Sequence, residues 1–365
     1  SFSGNNNALY VVDGVPYSSD ANAAGNFIDG NSGSSRSFDI DPNNIENIDI
    51  LKGLAATTLY GTAGRNGVIL ITTKVGSTSN MQAKQEVEVS TSYFFNEVAS
   101  IPDYQDKYGG GFDQAFGWFY SNWGPGFYEN GLGGYGSDSA INGQGGASGA
   151  TSGTVAHPYA TSAFLTANYP DYQTSNWFQA NGDAKRYDWK PRNSVEQFFR
   201  TGGVASISTN FRGRSEDGKY NYGMSFGHVN DEGFTPGNQI TRTNLTVSGG
   251  AKLTNKLSVR GSMTYTKTDF KTPPVAASFG SSTGGSGSSI FGDLFYTPRS
   301  IDMFELPFEV PSDGSSIYYR DDNAIQHPLW TVQNAKFSQR VNRVNGFASI
   351  DYNFNDNINL RYQGS

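Results

Sequence analysis

The side chains able to do acid, base or metal chemistry are few and poorly spaced for it. The three histidines, His157, His228 and His327, stand far apart, and none has the i, i+4 partner of an HExxH zinc helix. Asp321 and Asp322 are neighbouring carboxylates. Hydrolysis by a carboxylate pair needs two groups facing one bond across a fixed gap, which adjacent loop residues do not offer. "GQGGASG" (Gly143 to Gly149) follows no strand pattern and opens no helix pattern, so it is no phosphate cradle. No nucleophile is matched to a base and an orienting group. There is no cysteine, hence no disulfide framework and no thiolate metal site. The sequence predicts no enzyme, no cofactor and no metal centre.

Rings are what the chain offers instead. "FGWFYSNWGPGFY" (Phe116 to Tyr128) carries Trp118, Tyr120, Trp123 and Tyr128, and Trp177, Phe178 and Trp189 follow. Such rings stack on the apolar face of a sugar or grip a peptide while their polar edges hydrogen-bond. Any one of them is more simply read as packing within its loop or against a partner. As a group, Trp118, Tyr120, Trp123 and Tyr128 are the substrate-contact candidates.

Composition narrows what must hold these rings. Of 365 residues only 36% are hydrophobic and 16% charged, a poor match to a soluble enzyme with buried helices. Aromatics reach 14%, which argues for folding despite 45 glycines. The net charge of -7, with no basic stripe, excludes nucleic acid as a partner. No apolar run approaches the ~20 residues of a membrane helix. A transmembrane β-barrel carries no such run either, so that absence decides nothing about membranes.

Residues 1 to about 80 are the tightly specified part. "ALYVVDGVPY" (Ala8 to Tyr17) sets two β-prone runs about Asp13-Gly14, a hairpin signal. Asp41 can cap a helical turn with Pro42 in its first position. Ile48 and Ile50 alternate with Asn47 and Asp49, the period of a half-buried strand. Ala55 to Tyr60 forms a short helix ended by Gly61, and Asn66-Gly67 turns the chain into a strand from Val68 to Thr73. On these features alone the segment is a small α+β unit with no special role.

Beyond it, seven segments alternate as strands. Leu257, Val259, Gly261, Met263 and Tyr265 share one face, and Ser258, Arg260, Ser262, Thr264 and Thr266 the other. Val344, Gly346, Ala348, Ile350, Tyr352 and Phe354 oppose Arg343, Asn345, Ser349, Asp351 and Asn353, with Phe347 the exception. Tyr220, Tyr222, Met224 and Phe226 do the same against Asn221, Gly223, Ser225 and Gly227. Further strands fit Val87 to Phe94, Val204 to Phe211, Thr243 to Leu253 and Ile358 to Tyr362. The tight turns Ser215 to Lys219, Thr254 to Lys256 and Asn355 to Asn357 alternate with longer loops, about 100–203, Gly233 to Thr241 and 272–339. Leu257 to Lys267 matches the ~9–11 residues with which a tilted strand crosses a bilayer. A soluble sandwich also alternates, but one-sided loop lengths favour a membrane barrel.

"YVVDGVP" followed by "NIENIDILKG", "LYG" and "NGVILITTK" resembles the plug domain of TonB-dependent outer-membrane transporters, and more narrowly the SusC/RagA family of nutrient importers. Tyr10, Val11, Val12, Asp13, Gly14, Val15, Pro16, Ile45, Glu46, Lys52, Gly53, Tyr60, Gly61, Asn66, Gly67 and Lys74 carry the likeness. They are expected to be plug scaffold and gating residues rather than ligand contacts. "DWKPRNSVEQFFRTGG" (Asp188 to Gly203) also resembles the family's lead into its second barrel strand, and would set Phe198 and Phe199 in the interfacial girdle. The resemblance implies a large barrel of about 22 strands when complete, with an α+β plug in its lumen. Residues 1–80 would be the C-terminal part of the plug and 81–365 the N-terminal portion of the barrel. An ~80-residue globule is roughly 30 Å across, and about seven strands cannot enclose it, so the sequence is expected to be part of a longer chain.

The resemblance further implies active import of a glycan or oligopeptide across the outer membrane of a Bacteroidota-type bacterium. TonB, with ExbB and ExbD in the inner membrane, would pull the plug, and a SusD-like surface lipoprotein would cap the barrel. Lys52, Arg65 and Lys74 are the candidates for ion pairs to the barrel's polar inner face. Two other readings remain: a surface adhesin or carbohydrate-binding β-protein, and a barrel of this ancestry serving as a docking or secretion component.

Overall fold

The computed structural model describes residues 8–17, 40, 42–74, 85–112, 121–124, 126–127, 154–156, 179–180, 183–184, 186–188, 190–273, 290–304, 308–311, 313–317, 326–355 and 357–364. Two sheets organise them. The first has four strands in the order β2-β1-β4-β3, from β1 (Leu9–Val12), β2 (Val15–Tyr17), β3 (Ile45–Leu51) and β4 (Val68–Thr73). β1 lies parallel to β4, while β2 and β3 pair antiparallel. The β1–β2 turn has φ of 49° at Asp13 and 87° at Gly14, the doubly positive geometry of a tight hairpin that the Asp-Gly pair is suited to. Helix α1 (Leu54–Tyr60) is closed by Gly61 at φ 58°.

Val11, Ala56 and Val68 form the buried centre of this unit, with Leu9, Leu51, Tyr60 and Leu70 packed around them. Gly64 sits so close to α1 that a Cβ there would lie 2.6 Å from the Ala56 carbonyl oxygen. One expectation fails. Ile48 and Ile50 do not bury a face: they are 50% and 60% exposed. β3 is an edge strand, and the core lies over β1 and β4.

The second sheet is a seven-stranded antiparallel meander in the order β15-β14-β13-β12-β11-β10-β5. Its strands are β5 (Gln85–Asn96), β10 (Gly202–Arg214), β11 (Tyr220–Glu232), β12 (Gln239–Lys252), β13 (Leu257–Thr272), β14 (Phe337–Asn355) and β15 (Ile358–Gly364). Between β5 and β10 lie the short pieces β6 (Thr154–Ala156), β7 (Gln179–Ala180), β8 (Asp183–Ala184) and β9 (Arg186–Asp188). All seven long strands fall where alternation places them, but they run further: β13 has 16 residues and β14 has 19.

Side-chain oxygens close the three tight turns. Asp217 accepts from the Ser215 hydroxyl and the Lys219 amide, Thr254 from the amides of Lys256 and Leu257, and Asn355 from those of Asn357 and Ile358. At the other end the loops carry helices α2 (Ser194–Phe198), α3 (Ile290–Phe295) and α4 (Pro328–Asn334).

Polarity across this sheet is inverted relative to a soluble protein. Met224, Phe226, Leu245, Val247, Met263, Tyr265, Val344 and Ile350 are exposed on one face. Ser208, Asn210, Ser225, Asn244, Thr246, Thr266, Thr268 and Ser349 are buried on the other. Hydroxyls meet across the strands of that inner face, Ser92 with Ser206 at 2.6 Å and Thr246 with Thr264 at 2.9 Å. Apolar residues outward and polar inward is the pattern of a lipid-facing barrel wall. No helix among the described residues is long and apolar enough to cross a membrane.

Candidate functional site: the contact between plug and wall

The small sheet presents its β1–β2 hairpin to the polar face of the large one. The hairpin is fixed first. Asp13 accepts from the backbone N–H of Thr73 at 2.9 Å and from its hydroxyl at 2.8 Å, and its own N–H donates to the Ile71 carbonyl at 2.9 Å. Burial raises the Asp13 pKa, against the opposing pull of the two Thr73 bonds and the positive field of Arg260.

A cleft of about 300 Å³ separates hairpin and wall. Val12, Asp13, Pro16 and Tyr17 line one side with Asn44 and Thr73, while Asn244, Thr246, Thr264, Thr266 and Arg343 to Phe347 line the other. Phe347, the residue that breaks the alternation of β14, is one of the rings lining this cleft. The side-chain oxygens of Asn44 and Asn244 are buried without a hydrogen-bond partner among the described residues. A cleft of this size and polarity has room for water to reach both.

Among the described residues three bridges span the contact. The Arg343 guanidinium donates to the Tyr17 hydroxyl at 2.9 Å and lies 5.6 Å from the centre of its ring. Arg212 pairs with Glu46 at 3.3 Å and, along the wall, with Glu86 at 2.9 Å. Lys74 donates to both carboxylate oxygens of Glu88, at 2.7 and 2.9 Å. Arg260, bonded to Ser349 at 3.0 Å, faces Asp13 more remotely. Of the three cations expected to make such pairs only Lys74 does. Lys52 and Arg65 are exposed and make no ion pair among the described residues. The arginines come chiefly from the wall and the acids from the plug, the reverse of the expected polarity.

The remaining motif residues are structural in position. Tyr10 pairs with Tyr17 across the hairpin, Val11 is core, and Val12 pairs with Val15 beside the Asp13-Gly14 turn. Ile45 begins β3, with Glu46 next to it, while Lys52 and Gly53 lead into α1. Tyr60 packs on the core, Gly61 ends α1, and Asn66-Gly67 makes the turn into β4, where Gly67 has φ 96°.

On the loop side, Arg299 ties three segments together. Its guanidinium donates to Asp106 at 2.5 and 2.9 Å, to the Asn193 side chain at 3.1 Å and to the Arg192 carbonyl, and lies over the Tyr104 ring at 5.6 Å. Its amide donates to Asn122 at 2.7 Å, and Arg192 pairs with Asp302 at 3.0 Å. Beside this knot Trp123 stands 47% exposed, edge to face with Phe112 at 6.0 Å. Trp118, Tyr120 and Tyr128 lie outside the described residues, as do His157, Asp321 and Asp322. Phe198 and Phe199 are not girdle residues. Phe198 is buried beneath the loops, and Phe199 contacts Phe198, Phe234 and Phe295 at 5.6 to 6.3 Å.

Among the described residues no three His, Cys, Asp or Glu side chains come together as a metal site. His327 is buried and caps α4 by accepting from the Leu329 amide, and burial pushes its pKa down to about 3, so it is neutral. His228 shares a 2.9 Å hydrogen bond with Thr243.

A family model described as the TonB-dependent receptor plug domain matches residues 1–68. TonB-dependent receptor P3 of Formosa agariphila is 40% identical over 65 residues, 18% of this chain and 6% of that protein. TonB-dependent receptor P26 of the same organism is 30% identical over 102 residues, 28% of this chain and 9% of that protein. The RagAB peptide importer in its closed-closed state matches 98% of this chain and 34% of its own, with TM-score 0.60 and 19% identity. Its open-open state gives TM-score 0.59 at 18% identity. The chain therefore spans about a third of that neighbour's length, with the same fold, and its matches take in a small share of the two curated receptors.

Proposed function

We propose that this chain, a SusC/RagA-type TonB-dependent receptor with residues 1–80 as plug and 81–365 as barrel wall, gates the import of a large nutrient across the bacterial outer membrane. The nutrient is an oligopeptide or a glycan, too large for an open pore. The contact between hairpin and wall carries this reading. A gate must hold at rest and yield to a pull, which an apolar interface resists and a polar one permits. Here plug and wall are joined by separable polar bridges, Tyr17–Arg343, Glu46–Arg212 and Lys74–Glu88, the first of which lines a cleft of about 300 Å³. The plug itself is held by its own core and by the Asp13–Thr73 bonds, so it can shift as a body or open from its β3 edge.

In this reading TonB, energised through ExbB and ExbD, supplies the pull, and a SusD-like lipoprotein closes over the cargo at the loop end. Trp123, with Trp118, Tyr120 and Tyr128, is the proposed substrate-contact group. Its place beside the Arg299 knot supports it, since a rigid mount spares a ring the entropy of being ordered on binding. The test is uptake of fluorescent oligopeptides and oligosaccharides by a strain deleted for the gene. Loss of uptake of one class, restored by the wild-type gene only while TonB is present, is the expected result. Unchanged uptake of every oligomer tested overturns it.

A further inference from the structure

Resting on the membrane-barrel reading above, we propose that the loop-side end of β13 and β14 holds the phosphate of an outer-leaflet lipid headgroup. On the outer face the register reads Tyr265 opposite Val344, then Lys267 opposite Asn342, Asp269 opposite Arg340, and Lys271 opposite Ser338. Exposed apolar side chains therefore stop at Tyr265 and charge begins one pair higher. Tyr265 marks the boundary: its ring lies on the apolar side and its hydroxyl donates to the Asn342 side chain at 3.0 Å. A ring with an apolar body and a polar tip is what a bilayer interface selects.

Directly above that line stand Lys267, Lys271 and Arg340, with Lys336 in the segment leading into β14. Among the described residues three cations share this face with one carboxylate and a fourth lies next to it in sequence, in a chain whose net charge is -7. Asp269 holds Lys267 at 3.4 Å and also binds Arg340, which spaces the two cations on adjacent strands. Lys271 and Lys336 are exposed and have no ion pair among the described residues. The inner face at the same level is Thr266 and Thr268, both buried. The positive charge thus faces outward, at the height where a bilayer carries its phosphates. Arginine offers a fork and lysine a point charge, and both suit a phosphate monoester. A soluble anion would gain nothing from the apolar face beneath, whereas a lipid satisfies both halves of the surface at once.

The full-length receptor, reconstituted in phosphatidylcholine bilayers with spin-labelled phosphatidic acid or spin-labelled phosphatidylcholine, tests this by the immobilised fraction of each label. The wild type is expected to favour the phosphatidic acid by about fivefold or more. K267Q/K271Q/R340Q should lose that preference, and Asp269→Asn, which frees both cations, should strengthen it. Equal association of both labels with the wild type, or an undiminished preference in the triple variant, overturns the proposal. So does full displacement by millimolar inorganic phosphate, which would mark a free-anion site. Heat-modifiable migration of each variant reports an intact barrel. If neither label is immobilised by wild-type protein, the barrel reading itself falls, a result distinct from loss of selectivity.

Discussion

Asp13 and Thr73, sixty residues apart, are joined twice: one Asp13 oxygen takes the Thr73 amide proton and the other the hydroxyl proton. The bonds fasten the hairpin turn to the end of β4, where Thr73 is buried, and hold Val12 to Tyr17 against the cleft as a stiff edge. Asp13→Ala leaves a buried amide and hydroxyl unpaired and should cost about 1–3 kcal/mol locally. Hydrogen exchange should rise in β1, β2 and β4 and stay unchanged in β10 to β14. Asp13→Asn keeps one acceptor and should give a smaller effect.

The Arg343–Tyr17 bridge makes a second prediction, on the gate rather than on the plug's own fold. The guanidinium both donates to the phenol and lies over its ring, so Tyr17→Phe removes the hydrogen bond and leaves the ring contact. Arg343→Ala removes both. A coupling of about 0.5–1.5 kcal/mol is expected from a double-mutant cycle. Its cellular readout is leakage of large antibiotics through a loosened plug. Sensitivity should rise in the order Tyr17→Phe, then Arg343→Ala, with no further rise in the double variant.

Arg299 should be irreplaceable by lysine. One guanidinium reaches Asp106, Asn193 and the Arg192 carbonyl together and stacks on Tyr104, and an ammonium cannot span that fork. Its carboxylate partner Asp106 is more than half exposed, so the ion pair itself counts for little. The loss is in the hydrogen bonds to the buried guanidinium, about 2–3 kcal/mol. Both Arg299→Ala and Arg299→Lys should speed proteolysis of the segments around residues 104–124 and 190–198. Ligand binding through Trp123 should weaken with them, while migration of the barrel stays normal.

What could be read from the sequence follows from how local the determinants are. The Asp13-Gly14 and Asn66-Gly67 turns, the helix ending at Gly61 and the three side-chain-closed wall turns are set by a few neighbouring residues. The period-2 faces of β11, β13 and β14 needed nothing beyond counting. The plug–wall partners were harder, because alternation gives the inner face of Arg212, Arg260 and Arg343 but not the height at which the hairpin docks. That is why the sequence points to Lys52 and Arg65 and not to the wall arginines. Ile48 and Ile50 mislead for a related reason: alternation reports that a strand has two faces, and only the pairing order reveals β3 as an edge. Phe198 and Phe199 have the composition of a girdle, and only the packing of α3 and Phe234 makes them loop core.

Asp293 gives the loops a pH dependence. It is fully buried on α3, neither carboxyl oxygen has a hydrogen-bond partner among the described residues, and burial pushes its pKa up to about 8. A raised folded-state value means the protonated form is the one folded into the loops. Its stabilisation is complete below the ordinary carboxylate pKa near 3.8 and is lost as pH rises through 8. Between those two values each pH unit should cost about 1.4 kcal/mol, and above the higher one, where both states are ionised, the loss is complete. Protection of α3 and α4, corrected for intrinsic exchange, should therefore fall as pH rises from 3.8 to about 8 and level off above it, and Asp293→Asn should abolish the fall.

The outer face of β13 predicts a depth profile. Its outward series runs Leu257, Val259, Gly261, Met263 and Tyr265 before charge appears at Lys267, so Val259 and Met263 flank the middle of the apolar span. An arginine placed there must reach water across lipid on either side, at a cost of about 2–4 kcal/mol, falling to ~0–1 near the interface. Val259→Arg and Met263→Arg should each lower the urea midpoint for loss of heat-modifiable migration in vesicles. Tyr265→Arg should lower it less, and Lys267→Arg not at all. A flat response along the four positions would mean that this face does not meet lipid, because no soluble surface grades the penalty by height.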